Sequence, residues 1–216
     1  MMKKLLSITL MATMVACTTM AQDIKLPAVD LKQKSLSMVE TLATRHSVRT
    51  YSSQELTNQE LSNLCWAACG VSRNNDFRTS PTARNRKEIR LFVFTKKGVY
   101  EYQPVENILK EVTKGDHRRL VAGGKNFSQD FVLEAPVSLI MVVDLEKLGG
   151  QDERSMMMGC VDVGNVSENV NLYCQSVGLC TVPRATMDTN GIRSLLGLTD
   201  KQIPVMNNPV GYPKKD

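Results

Sequence analysis

The seven residues Val137–Val143, VSLIMVV, constrain this chain more than any other stretch. The run is continuously apolar apart from Ser138 and follows Pro136. Seven residues suit a buried strand better than a buried helix, which needs a longer run to pay back its ends. Two further strands, Ile89–Thr95 and Val99–Tyr102, flank Lys97-Gly98, a hairpin signal. The tail IPVMNNPVG adds another strand-like patch. Against these stands a long helix from Asp152 to Val177, with Val163, Val166, Val170, Tyr173, Cys174 and Val177 on one face and Gly178 at its end.

The remaining elements are read more locally. Asp30 is a candidate N-cap for a helix to Thr44, with Leu31, Leu36, Val39 and Leu42 as its stripe. Thr57 and Glu60 form a capping box, followed by the face Leu61, Leu64, Cys65 and Ala68 and a terminating Gly70. Residues 71–88 are polar and aperiodic and read as a long loop, a feature usually tied to function or disorder. Asn107–Thr113 reads as a short helix, and another falls near Gly191–Leu196; the stretch from Lys114 to Asp130 is ambiguous. Met156–Met158 could serve the core or a subunit contact, and the core is the preferred assignment. There is no internal repeat, and the order of elements gives one α+β domain.

Residues 1–21 are set apart from this pattern. Lys3 and Lys4 precede an apolar stretch, Leu5–Cys17, too short to span a bilayer, and Thr19-Met20-Ala21 offers a cleavage site. The expectation is a signal peptide over 1–21 and a single domain over 22–216, exported to the periplasm or the extracellular space. Met14-Val15-Ala16-Cys17 also resembles a lipobox, so anchoring through a lipidated Cys17 is the alternative. The net charge of +5 falls to +3 without the leader, which argues for neither nucleic acid nor an anionic membrane as partner. Five cysteines remain, an odd number at irregular spacings; with two histidines in the chain they suggest buried apolar residues rather than disulfides or a metal site.

Four polar motifs could carry chemistry. In RHSVRTY, Arg45, Ser47 and Arg49 alternate, so an extended backbone would turn two guanidiniums and a hydroxyl the same way, a set suited to phosphate; a solvated basic turn has the same composition. Ser80–Asn85 is Pro-fixed and rich in hydrogen-bonding groups, or an ordinary turn. Asp162, Gly164 and Glu168-Asn169 lie in the long helix ahead of Gly178-Leu179-Cys180-Thr181, and Gly164 inside a helix suggests a close approach. Lys214 and Lys215 follow Val210-Gly211-Tyr212-Pro213. Gly123-Gly124 is not a dinucleotide fingerprint, no Walker loop is present, and two histidines give a Ser/His/Asp hydrolase little support.

Taken in order, RHSVRTY, SPTARN, DVG…ENVNL…GLCT and VGYPKK resemble the FMN-dependent nitroreductase family, over about Val39 to Lys215. The resemblance implies a central, mostly antiparallel sheet flanked by helices, in an intertwined homodimer with FMN in two interface clefts. By similarity, Arg45, Ser47 and Arg49 would hold the FMN phosphate and ribityl chain, with Lys214 or Lys215 completing the site. Pro81, Thr82, Ala83 and Asn85 would reach the flavin ring from the partner subunit, and backbone N–H groups near Ala185 and Thr186 would face N5. The chemistry would be flavin-centred, with no catalytic side chain, in two-electron transfer to nitroaromatic or quinone-type acceptors. NAD(P)H would be one possible donor; a non-catalytic flavin-binding or flavin-scavenging protein on the same fold is the alternative. Lys87, Glu168 and Ala185-Thr186 depart from the usual family residues.

Overall fold

A computed structural model describes residues 22–74 and 76–214. The signal peptide assigned to 1–21, Cys17 and Lys215 lie outside the described residues. In chain order the elements are β1 (Ile24–Lys25), α1 (Met38–Thr44), α2 (Asn58–Cys69), β2 (Val71–Arg73), β3 (Phe77–Arg78), β4 (Ile89–Thr95), β5 (Gly98–Gln103), β6 (Ile108–Lys114), α3 (Arg118–Ala122), β7 (Val137–Asp144), α4 (Leu145–Leu148), α5 (Glu153–Val177), β8 (Cys180–Thr181), α6 (Thr189–Leu196) and β9 (Gln202–Gly211).

Seven strands form one antiparallel sheet in the order β1-β6-β5-β4-β7-β9-β8. Every residue of β7 is buried, and the reason is visible on both sides of it. Leu139, Met141 and Val143 join Leu91 and Val93 of β4 against α2 and α5. Ile140 and Val142 join Phe92 and Phe94 against α3 and α6. Period-2 alternation thus delivers apolar groups to two cores rather than to one core and solvent. The close approach of α5 to the sheet occurs at Gly159, where an added Cβ would lie 2.4 Å from Val143 Cγ2. Gly164, expected to mark that approach, has open space beside it in the protomer.

Several expectations are corrected. Asn107–Thr113 is not a helix: Ile108–Lys114 is strand β6, paired with β5. Asn107 takes a left-handed φ of 52° that turns the chain back, and the Ile, Val and Thr content suits the pleat. The helix expected from Asp30 starts only at Met38, because Ser37 and Glu40 supply the capping box. Asp30 instead closes a local turn by accepting from Lys32 N–H at 2.9 Å, and Gln33 is tied down by Asn63 and Tyr173. The stripe Leu31, Leu36, Val39 and Leu42 is exposed rather than buried. The loop over 71–88 contains the small β2–β3 hairpin. Met156 packs on the core, but Met157 is 61% exposed. Cys160 is exposed, while Cys65, Cys69, Cys174 and Cys180 are buried as expected. Burial pushes those four thiols upward, so none of them is a poised nucleophile.

Candidate functional site

Residues 45–50 belong to no helix or strand, and Arg45, Ser47 and Arg49 are all exposed. The segment is nevertheless fixed at both ends. Val48 N–H donates to Thr181 O at 3.0 Å, Tyr51 pairs with Pro213, and Ser52 N–H donates to Tyr212 O at 2.9 Å. Tyr212 in turn donates its hydroxyl to Glu60 of α2. The tail carrying Lys214 is therefore held beside the segment carrying Arg49. Lys214 lines a cavity of about 970 Å³ with Tyr51, Ser52, Gln54, Lys96 and Tyr212. Arg49 and Lys214 make no ion pair among the described residues.

Arg45 is set by a relay that begins in the sheet. Ser167 Oγ donates to Asn208 Oδ1 at 2.8 Å, and Asn208 Nδ2 donates to Asn171 Oδ1 and Thr181 Oγ1. Asn171 Nδ2 donates to Glu168 at 2.8 Å, whose carboxylate stands 3.8 Å from Arg45 Nε. The inner members of this relay, Ser167, Asn171, Thr181 and Asn208, are buried and mutually satisfied, which makes the arrangement stiff. Glu168 is what carries it to the surface.

The loop after α5 is held from β9. Arg184 and Asn207 exchange backbone hydrogen bonds at 2.8 and 2.7 Å, and Asn207 Nδ2 donates to Thr186 O at 3.1 Å. Ala185 is exposed and Thr186 half-buried. Neither residue's N–H donates to a protein acceptor among the described residues, which leaves two adjacent backbone donors available to a ligand.

The Ser80–Asn85 motif sits elsewhere. Ala83 N–H donates to Asp162 Oδ2 at 2.5 Å, and Thr82 Oγ1 accepts from Lys87 N–H at 3.1 Å. Arg84, Asn85 and Lys87 all take left-handed φ values near 53°, unfavourable for residues with a Cβ and often associated with functional loops. Asp162 and Glu168 are six positions apart on α5, about 9 Å along its axis and a third of a turn round it. Pro81, Thr82, Ala83 and Asn85 therefore approach α5 from a different side than Arg45–Arg49. One protomer brings Arg45, Ser47, Arg49, Lys214, Ala185 and Thr186 toward one end of the sheet, without the 81–85 loop.

Two groups escaped the sequence reading. Arg184 is buried within TVPRAT, and Glu88, at the end of the charged run RNRKE, is wholly inaccessible with no hydrogen-bond partner for either carboxyl oxygen. The pair Asn207-Asn208 inside an apolar strand was the visible signal that this end of β9 is polar for a reason. Among the described residues, no group of three or more His, Cys, Asp or Glu is placed to hold a metal, and no helix is long and apolar enough to cross a membrane.

Fold and site together define an α+β protein whose sheet edge carries exposed arginines beside backbone donors that lack a protein acceptor among the described residues. The chain belongs to the Nitroreductase family, whose pattern it matches over residues 42–212. It is 30% identical over 198 residues to protein MJ1384 of Methanocaldococcus jannaschii, itself named only provisionally as a nitroreductase, covering 88% of this chain and 96% of that one. A crystal structure from Ralstonia eutropha JMP134, provisionally named a nitroreductase, superposes with a TM-score of 0.80 at 27% identity over 90% of each chain. A nitroreductase family protein of Clostridium difficile 630 shares the fold, with a TM-score of 0.61 at 20% identity over 84% and 87%. Membership makes this chain an oxidoreductase of a family that is generally flavin-dependent, uses NAD(P)H donors and typically acts as a dimer.

Proposed function

We propose that this chain is an FMN-dependent oxidoreductase working as an intertwined homodimer, in which donor and acceptor use the same site in turn. The acceptors would be nitroaromatic, quinone-type or related compounds. The observation that carries the reading is the placement of Arg45–Arg49 against Thr181, beside a loop whose Ala185 and Thr186 N–H groups have no protein partner among the described residues. The donor set fits FMN: Arg45, Ser47, Arg49 and Lys214, with Lys215, would hold the phosphate and ribityl chain through charge-assisted bonds. Pro81, Thr82, Ala83 and Asn85 would come from the partner subunit to the ring, consistent with their approach from another side of α5. Bound flavin would supply the two-electron chemistry at N5. The chain's own part is to hold the anionic tail, to offer the 185 and 186 N–H donors where charge develops, and to orient the ring. No side-chain acid or base is assigned.

A dimer is supported by apolar surface that a lone protomer leaves bare: Met157 and Val161 of α5 and Met38, Val39 and Leu42 of α1. We further propose that residues 1–21 direct export, by cleavage after Ala21 or by lipidation of Cys17. NAD(P)H is a cytoplasmic currency, so an exported enzyme would draw on another reductant, and that same argument keeps a non-catalytic flavin carrier as the second reading. Purification should give a yellow protein with one releasable FMN per chain. Turnover of a nitroaromatic or quinone with a panel of donors then separates enzyme from carrier, and colourless protein that takes up no FMN would sink both.

A further inference from the structure

The protein buries two arginines and treats them differently. Arg118 is neutralised by Asp116, with contacts at 2.6 and 2.9 Å. Arg184, 6% exposed, has no carboxylate among its partners in the described residues. Its Nε donates to Gln129 Oε1 at 2.8 Å, Nη1 to Asn207 Oδ1 at 2.7 Å and Val121 O at 3.1 Å, and Nη2 to Ala122 O at 3.3 Å. The Phe131 ring lies 5.4 Å from the guanidinium carbon. Every acceptor is neutral, so a full positive charge is held in the interior. Burying a charge without a counter-ion is costly, and a neutral side chain would tie the same elements together at less expense. Burial depresses the Arg184 pKa, Tyr51 opposes that and the Arg49 cation acts in the same sense as burial, yet an arginine stays protonated. Arg184 is also one unit with the loop beside it, through the Asn207 side chain that holds Thr186 O.

We propose that Arg184 is a positioning and charge-supplying residue of the flavin site: it braces the Arg184–Thr186 backbone and lends that backbone an uncompensated positive charge favouring the reduced form of the bound flavin. The proposal rests on the FMN reading given above. Reduction by dithionite brings two electrons and, near neutral pH, one proton, so the bound cofactor gains one negative charge. A cation in a poorly screened interior interacts with that charge more strongly than a surface lysine would.

The decisive variant leaves Arg184 in place. Gln129→Glu sets a carboxylate 2.8 Å from Arg184 Nε, keeps the hydrogen bond and cancels the charge. Dye-coupled reductive titration of the FMN-loaded protein should show the oxidised-to-reduced equilibrium moved about tenfold toward oxidised flavin, about 30 mV more negative for a two-electron couple. Arg184→Gln should move it the same way, while Gln129→Leu, which deletes a partner but keeps the charge, should leave it in place. An unchanged midpoint in flavin-loaded Gln129→Glu, or equal loss of affinity for oxidised and reduced FMN, would overturn the proposal. A wild-type protein that binds no flavin would instead refute the reading on which it rests, and the two failures are told apart before any titration begins.

Discussion

Glu88 should cost this protein stability at neutral pH, and Glu88→Gln should return it. Its side chain is fully inaccessible, neither carboxyl oxygen has a partner at ordinary hydrogen-bond geometry among the described residues, and its carbonyl accepts from Asp144 N–H at 3.0 Å. Gly159 lets α5 sit flush on Val143, whose strand partner is Ile89, and this brings Asp162 one turn further along α5 toward Glu88. Burial first, and the Asp162 carboxyl second, push the Glu88 pKa up from 4.5 to about 8, against smaller opposing effects of the residue's own backbone and of Lys147. The folded protein thus keeps a proton that the unfolded chain releases above about pH 4.5. Below that pH both states hold it and the group has no effect. From there to about pH 8 the unfolded state gains on the folded one by up to about 1.4 kcal/mol per pH unit. At pH 7 the penalty comes to about 3 kcal/mol. The glutamine variant cannot ionise, so it should match the parent near pH 4 and exceed it by about that amount at pH 7. Urea unfolding at fixed protein concentration across pH 4 to 8 measures the gap. Stability curves for parent and variant that run parallel throughout that range would refute the reasoning.

Three other outcomes are expected. Arg45→Ala with Arg49→Ala removes two charge-assisted contacts of about 1.5–3 kcal/mol each, so FMN should bind at least a hundredfold more weakly while circular dichroism is unchanged; stoichiometric flavin in the double variant would refute the phosphate assignment. Gly159→Ala drives a methyl group into Val143 and should cost about 1–3 kcal/mol by denaturant unfolding, since α5 cannot lift off β7 without opening the core. Met157→Asp with Val161→Asp, at positions 61% and 60% exposed in the protomer, should leave a folded chain that light scattering reports as a monomer; a persistent dimer would place the interface elsewhere.

Strong periodicity carried most of the fold. β4, β7 and α5 were legible because their apolar residues recur over seven residues or more, and the α2 capping box was written into Thr57 and Glu60. The apolar residues of 30–44 misled because Leu31, Val39 and Leu42 are spaced like a buried stripe yet serve no core of the protomer. Asn107–Thr113 misled because Lys110 and Glu111 dilute a strand whose identity comes from its pairing with β5. Of the site, the order of the four motifs was legible and so was the Arg45–Arg49 alternation. Arg184 and Glu88 were not: each is a charged letter whose meaning is set by elements distant in sequence, α3 and β9 for the first, α5 for the second.

The place of β9 between β7 and β8 bears on how the chain reaches this fold. The apolar run of β7 is flanked by β4 on one side as soon as the N-terminal strands are complete, but its other edge waits for Gln202–Gly211. During synthesis that edge, VSLIMVV, stands open while roughly 60 further residues are added, about 3–12 s at ordinary elongation rates. An unpaired edge of that composition is a template for pairing with another chain. The strand that anchors the finished sheet is thus the segment most in need of a chaperone before the sheet is finished. Truncations that remove β9 should be found in inclusion bodies rather than as soluble fragments.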